Sequence, residues 1–330
     1  MLAVGSGALL ARGSGRSLGS VGSLVTAAVI VAAVFVRGAS TLHVPIGSEH
    51  LVFYEEGRTA TISVLQEVTG TRTIYIDRVP VAGTDAIMLT DQKSLAHVPL
   101  LVHPDARRVL TVGFGSGGAS WSFSRYAQLE RIDAVEIDPS VFHAAPHLEG
   151  SNHGVWRDPR FHLRLEDARS YLASTDARYD VISTDCTDLR YKSNANLYTV
   201  DYFTLARERL QPGGVVTVWM PLGGLGGDTF RMALRTFRAV FPHTTIWYMT
   251  NQPTHYLLLV GTLDRLRPDV DAMAAAMQTA TVRADLAEIR LDDPWKVAAS
   301  LVLDEDEVAA LAGDGSVNTD RHPLLEFAAP

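Results

Sequence analysis

Val109-Leu-Thr-Val-Gly-Phe-Gly-Ser-Gly-Gly118 decides the fold. An apolar, β-branched run ends in alternating glycines, and a helix-compatible segment follows. Twenty-three residues after Gly113, Glu136 closes a second apolar run, Ile132-Asp-Ala-Val-Glu-Ile-Asp-Pro139. Strand, glycine turn, helix and an acid closing the next strand make a nucleotide-binding half-sheet. The glycines admit close backbone approach to a ligand, and the carboxylate can accept both ribose hydroxyls.

Outward from this stretch, strands and helices alternate, which implies a parallel sheet with crossover helices. The expected strands are Val109–Val112, Ala134–Ile137, Phe161–Leu165, Tyr179–Thr184 and Gly214–Trp219. Two further strands, Thr245–Met249 and Tyr256–Gly261, are separated only by Thr250 to His255. That is too short for a parallel crossover, so an antiparallel hairpin at one sheet edge is expected. An α/β, Rossmann-like sheet of five parallel strands plus a closing hairpin is the layout of the S-adenosylmethionine-dependent transferases. Upstream, Leu51–Tyr54, Ala60–Gln66 and Thr73–Ile76 read as a small antiparallel β lid. A helix over Asp85–Val102 connects it to the sheet. Leu263–Leu311 is Ala-rich and reads as helical, with Asp304-Glu-Asp-Glu307 as a solvated first turn of a helix.

The 330 residues are 47% hydrophobic and 20% charged, enough apolar content for a sizeable core. A net charge of −8 argues against a general nucleic-acid binder. Cys186 is the single cysteine, so no intrachain disulfide is possible.

The N-terminus is apolar. Twenty uncharged residues separate Arg16 from Arg37, and roughly 20 residues of helix span a bilayer core of about 30 Å. Residues 18–36 therefore read as a transmembrane helix, with a signal peptide and a buried helix as the other readings. The expected organisation is a membrane segment and linker over 1–47, the β lid and connecting helix over 48–104, and a Rossmann-like catalytic domain over 105–330. The arginine distribution weakly favours an external catalytic domain. Cytosolic supply of a nucleotide-type co-substrate favours the cytoplasmic face of the cell membrane, which is the expectation adopted.

Two acidic stretches carry the chemistry. In Leu165-Glu-Asp-Ala-Arg169, Asp167 can bond an adenine amino group while the backbone at Ala168 meets the ring; helix capping is the plainer reading. In Tyr179-Asp-Val-Ile-Ser-Thr-Asp-Cys-Thr-Asp-Leu189, the strand delivers Asp185 to the crevice edge and Asp188 follows three residues later. Paired carboxylates there suit a cationic amine: one holds an ammonium, the other takes the proton that frees a nucleophilic lone pair. Capping and turn formation remain the plainer reading for both.

In order, the chain carries Tyr54-Glu-Glu-Gly57, His97-Val-Pro-Leu100, Gly113-Phe-Gly-Ser-Gly117, Glu136-Ile-Asp-Pro139, Asp158-Pro-Arg160, Glu166-Asp-Ala-Arg169, Asp185-Cys-Thr-Asp188, Leu197-Tyr-Thr199 and a terminal Asn318-Thr-Asp-Arg-His-Pro323. This series resembles the polyamine aminopropyltransferase (spermidine synthase) family, within it the membrane-associated spermidine-synthase-like branch. The resemblance implies aminopropyl transfer from decarboxylated S-adenosylmethionine to putrescine or a related amine, releasing methylthioadenosine, without a metal. It implies co-substrate binding by Gly113, Gly115, Ser116, Gly117, Glu136, Ile137, Asp167 and Ala168, with Asp185 as the base. Asp188, Tyr198 and Asp91 are the expected substrate-binding residues. A homodimer is a further expectation.

The departures from the family pattern fall on selectivity. Ser116 stands where the synthases usually carry an aspartate that pairs with the co-substrate's amino group. Asp91-Gln92-Lys93 stands where they carry Tyr-His-Glu. Asp91 can substitute as an ammonium ligand, and Lys93 reads as part of a solvated face. A neutral Ser116 would also suit intact S-adenosylmethionine. Three functions therefore stand: an aminopropyltransferase, an S-adenosylmethionine-dependent methyltransferase on the same fold, and a non-catalytic membrane module that binds nucleoside or polyamine.

Overall fold

The computed structural model describes residues 49–185, 192–250, 252, 254 and 256–328. The expected span over 18–36, together with Cys186 and Asp188, lies outside the described residues. Among the described residues no helix is long and apolar enough to cross a membrane.

The main sheet has eight strands. Five are parallel: β5 (Arg108–Val112), β6 (Arg131–Glu136), β7 (Phe161–Leu165), β8 (Tyr179–Thr184) and β9 (Leu210–Pro221). β10 (His243–Trp247) and β11 (Tyr256–Thr262) form the antiparallel pair, and β11 docks on β9. The full order ends with an extra strand, β12 (Leu301–Leu303), giving β12-β10-β11-β9-β8-β5-β6-β7. The chain runs from β5 toward β6 and β7, then returns to the other side of β5 with β8 and β9. That reversal opens a crevice at the carboxyl ends of β5 and β8.

Strand residues alternate between two cores, because successive side chains point to opposite faces. Val109, Val181 and Val215 pack on one face with the small sheet; Leu110, Ile182 and Val216 pack on the other with Tyr202, Phe203, Phe237 and Phe241. The glycine turn leads into helix Gly118–Ser124, whose N-terminus is set by Gly117 at φ 83°. A side chain at Gly117 would also meet Phe114 at 2.5 Å.

The small sheet is an antiparallel meander of four strands: β1 (His50–Glu56), β2 (Thr61–Gln66), β3 (Arg72–Ile76) and β4 (Val79–Gly83). Three were expected. The fourth follows a tight turn at Asp77 and Arg78, both at positive φ (47° and 72°). That is the backbone of a two-residue hairpin turn, made here without its usual Asn-Gly signal. Helix α1 (Ala86–Val102) follows, capped by Asp85 and running through Pro99.

The expected helical stretch 263–311 needs correction. Helices α2 (Val270–Ala276) and α3 (Ala280–Glu288) occupy part of it, but β12 interrupts it and pairs with β10 through Ile246↔Leu303 and Trp247↔Leu301. The hairpin is thus covered by one more strand. The acidic run caps the following helix: Asp304 accepts from the backbone of Asp306 and Glu307, and Glu307 bonds back to the Asp304 N–H at 2.9 Å.

Candidate active site

A cavity of about 410 Å³ lies between the small sheet and the carboxyl ends of the parallel strands. The turn after β5 contributes Gly113 and Gly115, the end of β6 contributes Glu136, and Ile137 and Asp138 follow it. Asp167 and Ala168 follow β7, and Asp185 follows β8. Thr59, Ala60, Ile62, Val81 and Ala82 close it from the small sheet.

Glu136 is buried at the end of β6. Its Oε2 accepts from Phe114 N at 3.0 Å and its Oε1 from Asp138 N at 3.1 Å. Burial raises its pKa, and these backbone bonds oppose the rise. A carboxylate has about four acceptor sites, so two oxygens each taking one bond keep capacity for a ligand. Asp167 Oδ1 accepts from Ser170 N at 2.9 Å and Ser170 Oγ at 3.0 Å, capping the helix Ala168–Ser174. It caps and lines the cavity at once.

Asp185 is fixed by its backbone: its N–H donates to Val112 O at 2.8 Å, continuing the β5–β8 ladder. A Cβ on Gly115 would come within 3.2 Å of Asp185 Oδ2, and Gly115 has φ 55°, so glycine is favoured there on both counts. Burial, then the nearby Glu136, push the Asp185 carboxyl well above its ordinary range.

Asp185 also lines a second cavity, of about 500 Å³. Met88, Asp91 and Gln92 of α1 face it, with Val79–Val81, Trp219, Pro221–Gly224, Thr254 and Tyr256. Asp91 is buried and its pKa is pushed up to about 9, by burial first; Asp185 and Asp85 add to the rise, and the Thr254 hydroxyl opposes it. Asp185 and Val81 are the two residues that the linings share. Asp185 therefore borders both spaces.

Four expectations change. Ser116 is fully buried and lines neither cavity: its hydroxyl donates to Gln92 Oε1. Gln92, which the sequence reading passed over, takes the cavity position, and its Nε2 has no partner among the described residues. Gly117 likewise lines neither cavity; it turns the chain into the helix. Tyr198 is 1% exposed, and its hydroxyl donates to the Trp219 carbonyl, so it supports a wall residue from behind. Lys93 is not solvated but 0% exposed, with Nζ 2.6 Å from Asp285 and 2.8 Å from Glu288, both on α3. Asp285 also bonds His97, Trp121 and Ser122. The sequence offers no local signal for this, because Asp285 lies 192 residues from Lys93.

The spermine/spermidine synthase domain model matches residues 88–263, more than half of the chain. The chain belongs to this family. Its curated synthase relatives include polyamine aminopropyltransferase 1 of Pseudomonas aeruginosa, 32% identical over 169 residues, 51% of this chain and 54% of that protein. The polyamine aminopropyltransferase of Serratia proteamaculans is 31% identical over 180 residues, 53% of this chain and 62% of that protein. The chain thus spans between half and two thirds of these two relatives. Spermidine synthase from Thermotoga maritima shares the fold, with a TM-score of 0.64 at 22% identity over 77% of this chain and 84% of that one. A spermidine synthase in complex with the transition state analogue AdoDATO gives 0.62 at 21%, with the same coverage. The synthase-family match begins inside α1 and ends before α2, so Asp91, Gln92 and Asp185 lie within it and Asp285 beyond it.

Proposed function

We propose that the protein is a polyamine aminopropyltransferase, moving an aminopropyl group from decarboxylated S-adenosylmethionine to a small amine such as putrescine. The observation that carries this reading is Asp185 at the junction of two cavities. The first cavity takes the adenosyl co-substrate: Glu136 accepts the ribose hydroxyls, Asp167 the adenine amino group, and Ile137, Ala168 and the backbone at Gly113 and Gly115 border the nucleoside. The second takes the acceptor, with Asp91 facing its ammonium, whose positive charge favours the ionised form of that carboxyl. Asp188 is assigned to the acceptor on its sequence position alone.

In the reaction the amine nitrogen attacks the carbon next to the sulfonium. The new C–N bond forms as the C–S bond breaks, the bonding pair returns to sulfur, and methylthioadenosine leaves neutral. The amine proton passes to Asp185. An alkylammonium has no lone pair, so the base is essential, and a carboxyl raised toward neutrality is better matched to an amine than an ordinary one. Holding both partners against one carboxylate supplies the alignment that a displacement at carbon requires. The names of the curated relatives support this reading. A transmembrane anchor at 18–36, a cytoplasm-facing catalytic domain and a homodimer complete the proposal.

A second reading follows from Ser116 and Gln92. Without a carboxylate in the glycine turn, where the Ser116 hydroxyl is turned to Gln92, intact S-adenosylmethionine would suit as well, as in a methyltransferase. Calorimetry with the two co-substrate forms separates them. Preference for the decarboxylated form and release of methylthioadenosine support aminopropyl transfer; preference for the intact form and release of adenosylhomocysteine overturn it.

A further inference from the structure

One side chain holds down the turn between β1 and β2. Asp138 Oδ2 accepts from Thr59 N at 2.8 Å, Thr59 Oγ1 at 2.8 Å and Ala60 N at 3.3 Å. Its other oxygen, Oδ1, accepts from Ser140 N at 3.0 Å and caps the helix Pro139–Ala144. The turn approaches so closely that a Cβ on Gly57 would lie 2.4 Å from this carboxylate. Asp138 is also tied to the crevice floor, since its own N–H donates to Glu136 Oε1 at 3.1 Å. Thr59, Ala60, Glu136 and Asp138 all line the first cavity. Burial would raise the Asp138 pKa, but the bonds from Thr59 and Ser140 bring it down to about 2. It is therefore a permanent anion at working pH.

We propose that Asp138 is a positioning residue that fixes the β1–β2 turn as a wall of the nucleoside cavity. It thereby sets affinity for the adenosyl co-substrate and takes no part in group transfer. The proposal rests on reading the first cavity as the nucleoside site. A residue that merely caps its helix would not behave this way, and Asp138→Asn separates the two roles. Asparagine is as good an N-cap as aspartate, but its amide cannot serve Ser140 and also accept the bonds from Thr59 and Ala60.

The turn carries its own reporter. Arg58 is exposed within it, so tryptic cleavage after Arg58, followed by mass spectrometry, reads opening of the turn without any ligand. In Asp138→Asn that cleavage should accelerate by about tenfold or more, in line with the loss of bonds to a charged acceptor. The Kd for 5′-methylthioadenosine, by calorimetry, should weaken by a similar factor, and KM for the co-substrate should rise by more than kcat falls. Thr59→Val removes one bond to Oδ2 and leaves the Ser140–Oδ1 cap in place, so it should shift both readouts in the same direction, which guards against a variant that simply misfolds. Wild-type cleavage at Arg58 in both variants overturns the proposal. So does faster cleavage with unchanged nucleoside affinity. If the wild-type protein binds no methylthioadenosine while Arg58 cleavage still responds to both substitutions, the functional reading fails and the latch stands.

Discussion

Asp285→Ala should destabilise the protein by about 3–5 kcal/mol, the usual result of removing one partner of a buried ion pair. Asp285 is 2% exposed and collects four donors: Lys93 Nζ at 2.6 Å, His97 Nε2 at 2.8 Å, Trp121 Nε1 at 3.1 Å and Ser122 Oγ at 2.5 Å. Its loss takes the acceptor from His97 Nε2, Trp121 Nε1 and Ser122 Oγ. Lys93, at 0% exposure, keeps only Glu288, which is 44% exposed and better screened by solvent. Urea unfolding at pH 7 measures the effect as a shift in midpoint at constant slope. The pH dependence gives a second check. Burial alone would raise the Asp285 pKa, but the bond from His97 and the charge of Lys93 outweigh it and hold it far below the ordinary range. The folded pKa is therefore depressed, so the stabilisation is present above the ordinary value of about 3.9 and lost as pH falls toward the folded value. The gap between wild type and variant should be full at pH 7 and narrow below about pH 4. The double variant Lys93→Met, Asp285→Leu should recover much of the loss, because an apolar pair carries no buried charge. A variant within about 1 kcal/mol of wild type at pH 7 would sink this reasoning. A gap that stays constant into acid would sink it too.

Other expectations bear on the site. Asp185→Asn should abolish turnover while methylthioadenosine binding persists; wild-type rates in that variant would remove Asp185 as the base. Glu136→Gln should weaken nucleoside binding by about 1–3 kcal/mol, the scale of one hydrogen bond to a charged group, as read by calorimetry. Asp91 carries the opposite linkage to Asp285. Its folded pKa, about 9, is above the ordinary value, so the folded state loses stability as pH rises toward it. Asp91→Asn should therefore melt above wild type at pH 8 and match it near pH 4, and an equal or lower melting point at pH 8 would refute this.

That Gly113, Gly115, Glu136, Asp167 and Asp185 border one crevice was legible because each position is set by local rules. A glycine turn needs positive φ, an acid closes a strand, and strand ends point into a crevice. Side-chain direction was not legible. Nothing near Ser116 announces that its hydroxyl is taken by Gln92, or that Tyr198 reaches the Trp219 carbonyl rather than the cavity. Lys93 was misread because polarity in a helix suggests solvent until a partner is known, and its partner belongs to a distant helix. β4 was missed because Asp77 and Arg78 make a left-handed turn without glycine. β12 was missed because three residues are too few for a period to register.

The buried cation in α1 also bears on where the molecule can be divided. The family match stops at residue 263, but Lys93 inside it is neutralised by Asp285 and Glu288 from outside it. The stretch that is inherited as a recognisable module is therefore shorter than the stretch that folds. A fragment trimmed to the match would bury a positive charge with no counterion and would strip β12 from the sheet edge. Val308, Ala312 and Leu325 are also fully buried in the core, so the piece that folds extends at least as far as Leu325.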